Sequence, residues 1–351
     1  MRKSILFGFL VIGLGFAPLA VTSDPEAAEY WDRNNAIAVV QSVNFNAAIL
    51  EISDLSSLAD GENTVSQLAE LANREDWPLP VREAALFQFA RSLAELPADA
   101  VAHEVIHYLR NYQAKALVPH EEYPQAYIPL FNIRGAISGV THGWQRQQHA
   151  RFATILLNTD PEKLVAEFAK SSNPNQKAGY LDALRFASMA TVTSVQNIAL
   201  ERLEATPGLS PIIALTAVIT TDLTAIEQLL LKAQGAGLSA ALNELEEQLT
   251  PNDTASLLAF AIQRAPATNA ALAISAWWPR LSHDALTREI MISLLTSPEL
   301  GASAAMALAR SPDILTIKAL KDLASSNSPA SNRAQMALDL NREQLIGEVL
   351  P

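Results

Sequence analysis

From about residue 63 onward, apolar residues return at helical spacing in blocks of about 12–18, and short breaks rich in Pro, Ser, Asn, Asp and Gly separate the blocks. A period of 3.6 places such residues along one stripe of each helix, and that stripe leaves water only by packing on another helix. Strand-type alternation is scarce. The expectation is an all-α chain of about thirteen or fourteen helices joined by short turns. Several breaks carry helix-start chemistry, a capping side chain followed by proline, as in Thr250-Pro251-Asn252-Asp253 and Ser297-Pro298-Glu299.

The blocks are also self-similar. GASAAMALAR (301–310) aligns with SNRAQMALDL (331–340), matching Ala304 to Ala334, Met306 to Met336, Ala307 to Ala337 and Leu308 to Leu338. REDWPLPVREAALFQFARSL (74–93) has a related form, an acidic turn, Val81-Arg82 and then an Ala/Leu helix, and NPNQKAGYLDALRFAS (173–188) is a weaker instance. On these residues the chain resembles the HEAT-like family of helical repeats, in its short Ala-rich variety. The Asp and Arg that form a side-chain ladder in that family are missing from most units here. The resemblance implies a degenerate HEAT-like α-solenoid of antiparallel helix pairs over 63–351, each pair burying its apolar face on its neighbours. It implies no chemistry.

The chain starts with two cations, an apolar run from Ile5 to about Ala17 and then small residues, the layout of a secretory signal peptide at 1–23 with a mature start at Asp24. An uncleaved anchor is the competing reading, but the run is short for a full span, and no later segment is long and apolar enough to cross a bilayer. Residues 24–62 read as an irregular N-terminal segment. The chain has no cysteine, which excludes disulfides, thiol nucleophiles and thiolate metal sites. A large exported protein without disulfides depends on its core, and this fits export across a bacterial inner membrane into the periplasm. The formal charge of −12 becomes −14 once Arg2 and Lys3 leave with the signal, and no Lys/Arg cluster offsets it, so nucleic acid is not an expected partner.

Three stretches depart from the rhythm. VPHEEYPQAYIPLFN (118–132) holds three prolines and no glycine, an extended, stiff inserted loop longer than most helix–helix connections. It reads either as a strap over helix ends or as a contact surface for a protein partner, formed by His120, Glu121, Glu122, Tyr123, Tyr127 and Phe131 with Arg134 beyond it. Gly135, Gly139 and Gly143 recur every fourth residue of the next helix, which suggests a close internal helix crossing. Trp277-Trp278 before Pro279 reads as a helix-end anchor in the core, with an aromatic platform as the alternative.

His103-Glu104-Val105-Ile106-His107 is the one motif with a mechanism attached: HExxH sets two imidazoles one helical turn apart, with a carboxylate to polarise a zinc-bound water. Projection at 100° per residue from Val101 puts Val105, Tyr108, Leu109 and Tyr112 on a core stripe. His103 and His107 fall on the opposite side with Arg110, whose positive charge disfavours a divalent cation. A third ligand would have to come from His120, Glu121 or Glu122. The sequence therefore points to a non-enzymatic scaffold or adaptor without a cofactor. A zinc metallopeptidase using Glu104, His103 and His107 is the first alternative. A carrier of an apolar small molecule or lipid is the second.

Overall fold

The computed structural model describes residues 28–46, 49–50 and 60–347, so the expected signal peptide lies outside the described residues. Helix takes up 75% of the structure, and the described residues form 17 α-helices and one small sheet of three strands. Among the described residues, sixteen of these helices begin at Gly61 or later, where thirteen or fourteen were expected. The shortest, nine residues long, are too brief to stand out as blocks in the sequence. None of the described helices is long and apolar enough to cross a membrane.

Contacts divide the chain into two compact units, Met1–Trp144 and Gln145–Pro351, each with its own apolar core. This divides the stretch 63–351 that the repeat pattern presented as one domain.

The first unit contains β1 (Glu29–Tyr30), α1 (Arg33–Gln41), α2 (Gly61–Ala72), α3 (Leu79–Ser92), α4 (His103–Asn111), β2 (Ala116–Pro119) and β3 (Tyr127–Pro129), and ends in the first part of α5 (Ile133–Thr159). Two expectations change here. Part of the supposedly irregular segment 24–62 forms β1 and α1, with Asp32 capping α1 by accepting from Asn35 N at 3.0 Å. The inserted loop 118–132 folds as a hairpin. β2 pairs antiparallel with β3 (Leu117 with Pro129, Val118 with Ile128, Pro119 with Tyr127) and parallel with β1 (Glu29 with Ala116, Tyr30 with Leu117). The strands are two to four residues long, and β2 and β3 end in proline, so they are too short for period-2 alternation to register.

The second unit continues α5 and adds α6 (Pro161–Lys170), α7 (Pro174–Arg185), α8 (Met189–Arg202), α9 (Ser210–Thr220), α10 (Leu223–Lys232), α11 (Gly235–Gln248), α12 (Pro251–Arg264), α13 (Ala267–Leu281), α14 (Ala285–Ser293), α15 (Gly301–Ala309), α16 (Ile314–Ala324) and α17 (Ser331–Gly347). Odd-numbered helices pack on one another in order from α7 to α17, and even-numbered ones from α6 to α12 and again from α14 to α16. The sequence repeat has a structural counterpart: Ala304 and Ala334 are both 0% exposed, Leu308 and Leu338 are buried, and Met306 and Met336 both face solvent.

Local chemistry explains the boundaries. Thr250 caps α12 through Asp253 N, with Pro251 in its first turn, as expected. Ser297 instead holds a turn ahead of α15, accepting from Leu300 N at 3.1 Å. Helix ends are closed from neighbouring helices: Asn269 donates to the carbonyls of Leu230 and Ala233, and Asn341 to those of Ala309 and Ser311. Trp277 and Trp278 are buried, and the Trp277 indole donates to Leu242 O at 3.1 Å. They are core anchors, which excludes an aromatic platform at these residues.

The glycine stripe does not make the expected crossing. A Cβ on Gly139 or Gly143 would meet nothing within 4 Å, and the nearest atoms to one on Gly135 belong to the side chain of Asn132, which caps that turn. The close approach lies at Gly179 on α7, where a Cβ would stand 2.5 Å from Arg146 O and 2.8 Å from Ala150 N on α5. Arg146 clamps the same crossing with paired bonds of 2.5 and 2.6 Å to Asp182.

Candidate functional site

The hairpin rests on a buried carboxylate. Glu83 lies on α3, four residues after Leu79 and three before Leu86, so helical spacing carries it inward with them, and it is 0% exposed. Its oxygens accept from Lys115 N at 2.6 Å, just before β2, and from Ala116 N at 3.3 Å, the first residue of β2, while the Tyr112 hydroxyl donates to it from 3.4 Å. Burial pushes its carboxyl up to about 7, opposed by the two backbone N–H groups. Burial and the neighbouring Glu83 also raise the Tyr112 hydroxyl. The sequence reading missed Glu83, although its place on the Leu79–Leu86 stripe was a usable signal.

Side chains alternate across the small sheet. Ala116 and Val118 point inward and are buried, whereas Leu117 and Pro119 share the outer face with their partners Tyr30, Tyr127 and Pro129. The Tyr30 and Tyr127 rings belong to strands on opposite sides of β2, yet meet edge to face with centroids 4.6 Å apart, so both lean over the central strand. Tyr30 remains 60% exposed, Tyr127 48% and Tyr123 61%.

The sequence-predicted surface residues separate into four groups. His120 organises the hairpin turn: its Nδ1 accepts from Glu122 N at 3.1 Å and Tyr123 N at 3.3 Å. Glu121, Glu122, Tyr123 and Tyr127 are exposed around that turn, and Glu121 pairs with Arg33 at 3.2 Å. Phe131 is half-buried against Phe87, with centroids 5.6 Å apart, and so fixes the base of the hairpin. Arg134 is exposed in the first turn of α5. Tyr30 joins the surface although residues 24–62 gave no reason to place it there.

The HExxH residues occupy α4. Val105, Ile106 and Leu109 are buried, and His103, Glu104 and His107 are exposed with the imidazole centroids 6.3 Å apart. Ile106 widens the core sector beyond the projected stripe. His107 Nε2 lies 3.1 Å from Asn111 Nδ2. Glu104 leans on the start of α2, its Oε2 only 2.6 Å from where a Cβ on Gly61 would stand. A depression of about 340 Å³ lies here, lined by Glu62, Val65, His103, Glu104, His107 and Tyr108. The three side chains that could complete a zinc centre are held in the hairpin: His120 by its turn, Glu121 by Arg33, and Glu122 beside them. Among the described residues, no three His, Cys, Asp or Glu side chains gather to hold a metal ion. His103 and His107 thus have no third ligand gathered beside them among the described residues, and no hydrolytic step is assigned to Glu104.

No family model, curated protein or solved structure matches the chain.

Proposed function

We propose that the chain is a non-enzymatic scaffold or adaptor, exported to the periplasm, whose helix pairs stack as a HEAT-like α-solenoid and whose 118–132 hairpin holds a protein partner. The observation that carries the reading is the contrast between the hairpin's base and its outer face. The base is anchored by buried Glu83, Val118 and half-buried Phe131, while the outer face presents Tyr30, Tyr123 and Tyr127 to solvent. A strap needs only the base. Exposed aromatic residues on a rigid support are the usual anchors of protein interfaces. The solenoid part is supported by the order of helix contacts from α6 to α17 and by one rung of an Asp–Arg ladder, Arg288 to Asp313 at 3.0 Å, with both side chains 14% exposed.

A photo-crosslinking residue in place of Tyr123 should capture one discrete protein. The combined change Tyr123→Ala, Tyr127→Ala and Glu122→Ala should abolish partner binding with far-UV circular dichroism unchanged. A folded protein that captures nothing from this position would make the hairpin a strap, as would loss of fold in the triple variant.

A further inference from the structure

We propose that the outer face of the small sheet docks a proline-rich, cationic segment of the partner in the polyproline II conformation. The inference rests on the reading that the hairpin holds a protein, and it adds the chemistry of what is held.

The face is apolar throughout: Tyr30, Leu117, Pro119, Tyr127 and Pro129 lie on one side of three strands, with Tyr123 exposed at the turn. The common alternative for a small exposed sheet is addition of a partner strand at its edge, and the backbone argues against it. On β3, Ala126 O and Leu130 N bond towards β2, so Tyr127 and Pro129 turn their backbone groups outward, and Pro129 has no N–H. The opposite edge strand, β1, is two residues long. Neither edge supplies the run of donors and acceptors that strand addition uses.

A polyproline II segment needs no backbone ladder. It is preformed and solvated, so it loses little entropy on binding, and its rings pack against upright aromatic side chains. The edge-to-face pair Tyr30–Tyr127, with Pro119 and Pro129 beside it, gives such rings to pack against.

Charge sets the second requirement. Arg33 neutralises Glu121, whereas Glu122 at the turn makes no ion pair among the described residues and stands beside Tyr123. The whole chain carries −12 and so attracts a cation at long range. A Lys or Arg in the docked segment would meet Glu122.

The test titrates the full chain calorimetrically with a synthetic peptide of four Pro-Pro-Arg triplets, and with a control of four Gly-Ser-Arg triplets of equal charge. The proline peptide should bind one to one and at least ~10-fold more tightly, because the control must also pay to order a flexible chain. Tyr127→Ala should cost ~10-fold, Tyr123→Ala ~3-fold, and Glu122→Gln ~3-fold with a flatter salt dependence. Tyr123 lies at the exposed tip, so its variant reports on contact even if loss of Tyr127 loosens the sheet. Equal affinity for both peptides would overturn the inference by reducing it to charge alone, as would an affinity unchanged in Tyr123→Ala and Tyr127→Ala. If neither result favours proline while the Tyr123 crosslink still captures one protein, the partner reading stands and this inference fails. If the crosslink is also empty, both fail.

Discussion

The two units solve the same packing problem differently. In Gln145–Pro351 each helix buries its stripe on helices one or two places away in the chain, and equivalent positions recur with equivalent environments, as at Ala304 and Ala334. In Met1–Trp144 the helices pack beside a sheet whose first strand pairs with one far along the chain, and a carboxylate occupies a core position to hold that sheet. Short-range, repetitive contacts spread stability over many similar interfaces. Long-range, singular contacts concentrate it in a few groups, and they leave the hairpin's outer face free.

The comparison breaks first if the second unit does not depend on its anchors. Trp277→Ala removes a fully buried side chain and its hydrogen bond to Leu242 O, and should cost ~3–5 kcal/mol in chemical denaturation. A loss below ~1 kcal/mol would mean that the stack tolerates a missing anchor and is not close-packed there.

In the first unit the sensitive group is Glu83. A carboxyl held at about 7 when folded, against 4.5 as the ordinary value, favours the folded state while protonated. This contribution is complete below about pH 4.5 and is lost as pH rises through about 7, at most ~3 kcal/mol by linkage. Denaturation followed by a first-unit signal should therefore show falling stability from pH 5 to 8. Glu83→Gln should flatten that slope, at the cost of ~1 kcal/mol at pH 5 for one lost backbone bond. A slope that persists in Glu83→Gln would assign it to other groups.

The smallest effects concern the glycines and carry opposite signs. Gly179→Ala must push apart two backbones and should cost ~1–3 kcal/mol. Gly139→Ala and Gly143→Ala meet open space within a helix and should each stabilise by up to ~1 kcal/mol. Destabilisation at Gly143 would restore the crossing that the stripe suggested.

The difference between the units also decides what was legible in the sequence. Repeated Ala/Leu spacing reports packing that repeats, so the all-α class, the paired positions at 301–340 and the buried tryptophans could be read directly. Projection of HEVIH correctly placed both imidazoles away from the core, because one helix face is a local property. The hairpin was legible only as a break, since its strands carry prolines and depend on Glu83 and β1, which lie far away in the chain. Glycine spacing misled for a related reason: a close crossing depends on which helix arrives opposite, and Gly179 meets a helix backbone whereas Gly139 and Gly143 meet nothing within 4 Å.

The central claim is that the partner surface belongs to the hairpin and not to the helical stack. Partner capture by the Tyr123→Ala, Tyr127→Ala, Glu122→Ala chain, set against capture by a Met306→Ser, Met336→Ser chain, tests it most directly, because both variants change exposed side chains. The account predicts at least ~10-fold weaker binding for the first and binding within ~2-fold of the parent for the second. The opposite pattern, with the hairpin variant unaffected and the methionine variant impaired, would contradict it.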